Sequence, residues 1–173
     1  SHLADFLISE GMEVTIIDNL STGSKENINP EATFIEEDIK NFQKIKHLFK
    51  DIDFVFHTAA LPRIQPSFED PLGHEEANVI GTINCLLACR GNKNIKKFVY
   101  SGSSICYGNP EELPTGEKAL INCLNPYALQ KYADEQYAFI LGERYGIPAI
   151  SLRYFNVYGP RSFNPKNPFN AYS

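Results

Sequence analysis

A chain of 173 residues, 43% hydrophobic and 21% charged, carries enough apolar material for one globular domain with a packed core, which excludes a disordered tail. Its net charge of -5, with no basic cluster denser than residues 93–97, excludes nucleic acid and an anionic membrane surface as partners and favours small molecules. The longest apolar stretches are strand-sized, and the opening Ser1-His2-Leu3-Ala4-Asp5 has neither a basic region nor an apolar signal core, so a cytoplasmic protein with no membrane span is expected.

The first element is an amphipathic segment over residues 3–9 that stops at Glu10-Gly11. Residues 13–17 then read as a buried strand closing on Asp18, inside Asp18-Asn19-Leu20-Ser21-Thr22-Gly23. A carboxylate at a strand end can accept both ribose hydroxyls of an adenosine and repels a 2′-phosphate, which favours NAD over NADP. Asp18 and Asn19 are equally good chain-turning residues, and the strand end alone does not separate the two readings. The next strand, residues 33–35, leads into Asp38-Ile39, where Asp38 suits either an adenine amino group or a helix cap before Asn41.

A helix over residues 41–50 precedes a strand at residues 53–57, and a second helix follows over residues 75–90. Cys85 and Cys89 share a face of that helix, while Cys106 and Cys123 lie apart without paired metal spacing. All four read as reduced thiols, and no metal site is expected. Residues 97–101 form a strand, residues 126–145 a helix and residues 149–154 a strand. Strands alternating with helices of this length specify a doubly wound α/β domain with a parallel sheet, whose ligands collect at the carboxyl ends of the strands.

Two segments at those ends carry chemistry. Pro126 suits a first helical turn, so Tyr127 and Lys131 fall at i and i+4 on one helix face. A tyrosine with an ordinary pKa near 10 acts as a base at neutral pH only if its phenolate is stabilised, and a shift to about 7 takes roughly 4 kcal/mol. A lysine one turn away, with the positive nicotinamide of oxidised NAD, is a source of that stabilisation. Upstream, Ser101-Gly102-Ser103-Ser104-Ile105-Cys106-Tyr107-Gly108 reads as a hydroxyl-rich loop after a strand, able to share a proton with a substrate hydroxyl.

With these motifs in this order, the sequence resembles the extended short-chain dehydrogenases of the NAD-dependent epimerase/dehydratase group, and within them the nucleoside-diphosphate-sugar 4-epimerases acting on UDP-sugars. The resemblance rests on residues 18–23, His57-Thr58-Ala59-Ala60, Asn78-Val79-Ile80-Gly81-Thr82, Ser103-Ser104, Tyr107-Gly108, Tyr127 with Lys131, and residues 152–161. It implies a Rossmann-like fold, NAD as cofactor, and epimerisation at carbon 4 through a transient 4-keto sugar. Ser103, Tyr127 and Lys131 match the catalytic residues. Asp18, Asn19 and Gly23 match the adenosine-ribose turn, Asp38 and Ile39 the adenine contact, and Ala59 and Ala60 the small residues beside the cofactor diphosphate. Asn78, Ser101, Tyr154 and Phe155 match further cofactor positions. Ser103, Ser104, Tyr127 and Asn156 match substrate positions, Asn156 at the nucleotide-sugar diphosphate.

The resemblance also implies that residues 1–153 are the NAD-binding domain and 154–173 the start of a substrate-binding region, in a protein that is a homodimer when complete. The family's Gly-x-x-Gly-x-x-Gly loop and the strand before it do not occur in the sequence, so the sheet is expected to lack its central strand and, as it stands, to fold poorly. The related dehydratases and decarboxylases share the first oxidation but need a carboxylate base near the catalytic hydroxyl. Here Ser104 and Ile105 occupy those places, which favours epimerisation. A noncatalytic NAD-sensing module is the reading from another class, and a pure binder has no need of Ser103, Tyr127 and Lys131 together.

Overall fold

The computed structural model describes residues 1–162, and the chain divides into two compact units. One comprises Ser1–Ile39 with the described residues from Asn156 onward; the other is Lys40–Phe155.

In the first unit, helix α1 (His2–Ser9) ends as expected, with Gly11 taking the positive φ that stops it. Strand β1 (Thr15–Asp18) pairs in parallel with β2 (Thr33–Glu36), in a register running from Thr15 opposite Thr33 to Asp18 opposite Glu36. Both strands therefore deliver acidic residues to the same end of the sheet. Asp5 of α1 ties the unit together by accepting from Asn29 at 2.8 Å and from the Arg161 guanidinium.

The second unit is a parallel sheet in the order β3 (Phe54–His57), β4 (Lys97–Ser103), β5 (Ala149–Tyr154). The expected helix over 41–50 is α2 (Phe42–Ile45) running into a 3₁₀ turn, Lys46–Phe49, whose Ile45 and Phe49 are buried. An unexpected short helix, α3 (Ile64–Glu69), follows β3; Pro66 lies inside its first turn, where proline is tolerated. The expected helix at 75–90 begins earlier. Asp70 caps α4 (Pro71–Glu75) through the Gly73 amide, a π-helical turn spans Glu76–Ile80, and α5 (Gly81–Cys89) completes the run.

Helix α6 (Pro126–Tyr145) has the expected limits for visible reasons. Asn125 accepts from the Ala128 amide at 2.8 Å, Pro126 opens the first turn, and Gly146 closes it at φ +70. This helix packs on β4, β5 and α5 around Phe98, Tyr100, Leu86, Ala128 and Ala138, all almost fully buried. Cys85 and Cys89 of α5 join this core as free thiols, and burial pushes the Cys89 thiol up to about 12, so both behave as small apolar side chains. Across the described residues the strands form two parallel sheets, β1–β2 and β3–β4–β5.

Candidate active site

In the first unit, the turn after β1 has a defined geometry. Asp18 Oδ1 accepts the Leu20 amide at 2.7 Å, Asn19 Oδ1 accepts the Ser21 amide at 3.0 Å, and Leu20 sits at φ +55. Asp18 and Asn19 thus do turn the chain. The Asn19 amide also donates to Asp38 Oδ2 at 3.0 Å, so the carboxyl ends of β1 and β2 are joined through the two residues expected to meet an adenosine. A Cβ at Gly23 would stand 3.5 Å from Asp18 Oδ2, so the glycine leaves this oxygen exposed beside the turn. Ile39 follows Asp38, half-buried.

In the second unit, β4 differs from the sequence expectation in a way that matters. The segment Ser101-Gly102-Ser103 is strand, held by pairing with Leu152, Arg153 and Tyr154 of β5, and only Ser104–Tyr107 turns away as a 3₁₀ helix. Ser103 is therefore the last residue of a hydrogen-bonded strand, a more rigid mount than a loop. Its Oγ accepts the Ile105 amide at 3.3 Å, which leaves its own proton to donate, and it hydrogen-bonds Tyr127. Gly108 closes the turn at φ +61, where a Cβ would collide with the Asn122 carbonyl oxygen.

Tyr127 sits in the first turn of α6, fixed by its amide donating to Ser67 Oγ of α3 at 3.2 Å. Among the protein's own groups, burial is the largest influence and holds its phenol above the ordinary tyrosine value. Arg63 and the Ser103 hydrogen bond oppose that rise, and Asp134 adds to it. Lys131, one turn on, is only 6% exposed, with its ammonium 4.5 Å from the centroid of the Tyr100 ring. Burial draws its pKa down to about 8, against the opposing charge of Asp134.

Behind Lys131 lies a buried polar cluster that the sequence did not reveal. Tyr100 of β4 donates to Asp134 Oδ2 at 2.9 Å, Thr82 of α5 hydrogen-bonds the same carboxylate, and His57 of β3 lies 2.7 Å from Thr82 Oγ1. Burial pulls the His57 pKa down to about 3, so the ring is neutral. With the Thr82 proton committed to Asp134, the His57 tautomer that fits is the one donating from Nε2. Arg63, the residue that leads into α3 with φ +93, likewise carried no signal in the sequence.

The remaining expected residues fall into three groups. Ala59 and Ala60 are half-buried directly after β3, and the next residue, Leu61, is clamped by Asn78. Asn78 Oδ1 accepts the Leu61 amide at 2.7 Å, while its Nδ2 donates to Leu61 O at 3.1 Å and to Gln130 Oε1 at 3.0 Å. Both amide donors are engaged inside the protein, so Asn78 shapes the strand-end loop from below. Ser101, Ser104 and Tyr154 line the carboxyl ends of β4 and β5, with Tyr154 opposite Ser103, and Phe155 is exposed just beyond. Asn156 belongs to the other unit, and the stretch 163–173 of the expected substrate region lies outside the described residues.

Comparison with known proteins shows the family. Residues 1–171 match the NAD-dependent epimerase/dehydratase family. The chain belongs to that family. A UDP-glucose 4-epimerase of Lactobacillus helveticus is 35% identical over 164 residues, which cover 94% of this chain and 49% of that protein. The solved UDP-N-acetylglucosamine 4-epimerase of Methanobrevibacter ruminantium, in complex with UDP-N-acetylmuramic acid, superposes with a TM-score of 0.89 at 39% identity, covering 97% of this chain and 54% of that one. The UDP-glucose 4-epimerase of Thermus thermophilus in complex with NAD gives 0.85 at 35%, covering 92% and 52%. The chain thus spans about half the length of the family members it matches.

Each unit taken by itself suits a part of the family's dinucleotide. In the first, Asp18 keeps a second carboxylate oxygen after making its turn and no side chain at Gly23 covers it, as an adenosine ribose requires; in the second, Ala59 and Ala60 add little bulk beyond β3. No helix among the described residues is long and apolar enough to cross a membrane.

Proposed function

We propose that the protein containing this chain interconverts the carbon-4 epimers of a UDP-sugar with NAD as its cofactor, and that Tyr127 is the base. The observation that carries this reading is the alignment of Ser103, Tyr127 and Lys131: a hydroxyl pair at a strand end and a helix start, with a buried ammonium one turn below. Ser103 shares its proton with the sugar hydroxyl and the phenolic oxygen, and Tyr127 takes the proton from the carbon-4 hydroxyl. Lys131 would hold the nicotinamide ribose and bring positive charge to the phenolate, and Arg63 is the cation that already opposes the burial disfavouring ionisation. Bound NAD would supply a reversible hydride acceptor and would not be consumed. Asp18 would meet the adenosine ribose, Asn19, Gly23, Asp38 and Ile39 would complete that end, and Ala59, Ala60, Ser101, Tyr154 and Phe155 would flank the rest of the dinucleotide. Ser104 and Asn156 would face the nucleotide sugar.

On this reading residues 1–153 are the cofactor-binding part, 154–173 begin the part that receives the sugar, and the complete protein is a cytoplasmic homodimer. The test is Tyr127→Phe, which preserves the ring and the Ser67 contact to the backbone but removes the ionisable oxygen. Turnover of UDP-glucose or UDP-N-acetylglucosamine should collapse while NAD binding survives, and Ser103→Ala should lower turnover by roughly 10²-fold or more. An undiminished rate in Tyr127→Phe would make another residue the base.

A further inference from the structure

Asp134 lies one turn beyond Lys131 on α6, 1% exposed. Its Oδ2 accepts from Tyr100 and the carboxylate takes a further hydrogen bond from Thr82, but Oδ1 is buried with no hydrogen-bond partner. A carboxylate so enclosed is costly to keep ionised by hydrogen bonds alone, and the compensation has to come from charge. The cation that provides it is Lys131, whose ammonium rests on the ring of the same Tyr100 that holds Asp134. Two opposite charges on one helix face are thereby linked through a third side chain that is itself buried and fixed in β4.

We propose that Asp134 is a positioning residue for the reaction: its carboxylate, gripped by Tyr100 and Thr82, keeps the Lys131 ammonium charged and in place one turn below Tyr127. This rests on the assignment of Tyr127 and Lys131 given above. Each partner favours the charged form of the other: Lys131 opposes the burial that pushes Asp134 up to about 6, and Asp134 opposes the burial that brings Lys131 down to about 8. The other groups facing the pair are consistent with one working cation. Tyr100 from β4 is held protonated by burial, His57 from β3 is neutral, and Glu75 from α4 adds a like charge to Asp134. On α6 itself, Glu135 is occupied by Arg153 at 2.6 Å. Without Asp134, Lys131 would face burial with no anion at its side and would lose its proton in the working pH range. A neutral amine would then stand where the Tyr127 phenolate needs a positive charge.

The experiment uses the complete protein with ¹⁵N-labelled lysine, following the Nζ resonance of Lys131, identified by its loss in Lys131→Met. Asp134→Asn keeps the shape and the ability to bond Tyr100 and Thr82 but removes the charge. The Lys131 midpoint should fall by about 1–3 pH units, the range for an adjacent opposite charge. The alkaline limb of kcat should move down with it, KM should stay constant, and turnover lost at pH 8 should return at lower pH. An unmoved Lys131 midpoint in a folded Asp134→Asn protein would overturn the proposal, as would a moved midpoint with an unchanged kcat profile. If Asp134→Asn does not fold, the reciprocal measurement decides: in Lys131→Met the ¹³Cγ midpoint of Asp134 should rise, and an unchanged value would overturn the pairing. Because the midpoints are read without substrate, failure of the epimerase assignment appears separately, as absent turnover in the unaltered protein.

Discussion

Replacing Asn78 with alanine should be among the most damaging changes that touch no reacting group. The side chain is fully buried in the π-helical turn and makes three hydrogen bonds, two to Leu61 and one to Gln130. Their net loss is worth about 0.5–1.5 kcal/mol each. Leu61 is half-buried and its backbone groups can recover water, whereas Gln130 is 3% exposed, and leaving its oxygen unpaired adds about 1–3 kcal/mol. The total is roughly 2.5–7.5 kcal/mol. With a urea m-value of about 2 kcal/mol/M, the unfolding midpoint should drop by roughly 1.3–3.8 M. Asn78→Asp keeps the volume and the bond from the Leu61 amide but loses both donors and buries a charge, so it should be at least as destabilised. The same variants should bind NAD more weakly, because Leu61 follows Ala59 and Ala60 directly and Gln130 adjoins Lys131. A loss below about 1 kcal/mol for Asn78→Ala, measured by urea unfolding, would show that the clamp does not hold the loop.

Asp18→Ala should narrow a preference for NAD over NADP, measured by fluorescence titration of both cofactors. Equal affinities in the unaltered protein would remove Asp18 from the ribose. His57 carries a pH prediction. Its folded pKa of about 3 lies below the ordinary 6.5, so between those values the unfolded chain binds a proton that the folded protein refuses. Stability is then lost as pH falls from about 6.5 towards 3, with a slope of up to about 1.4 kcal/mol per pH unit from this group. His57→Gln retains a donor for Thr82 and should flatten that part of the curve in urea unfolding at pH 7, 6, 5 and 4; identical slopes in the two proteins would contradict the assignment.

The limits of α6 and the i, i+4 placement of Tyr127 and Lys131 were legible in the sequence because they follow from local rules: an asparagine cap, a proline at the first position and a left-handed glycine at the end. The acidic residues at the end of β1 and just past the end of β2, Asp18 and Asp38, were legible because an apolar run gives way there to polar residues; the burial expected for the first of these strands was not, since no residue of β1 is fully buried. Ser101-Gly102-Ser103 was not, because small polar residues have little strand preference of their own. Six parallel register pairs with β5 override that preference, and a Cβ at Gly102 would meet Ser151 Oγ at 2.5 Å. The π-helical turn that aims Asn78 at Leu61 and Gln130 has no periodic signature either. The cluster of His57, Thr82, Tyr100 and Asp134 depends most on tertiary structure. Each residue reads by itself as an ordinary polar residue in a strand or helix. Only the packing of β3, β4, α5 and α6 brings the four beneath Lys131, where burial makes hydrogen bonds and paired charge obligatory.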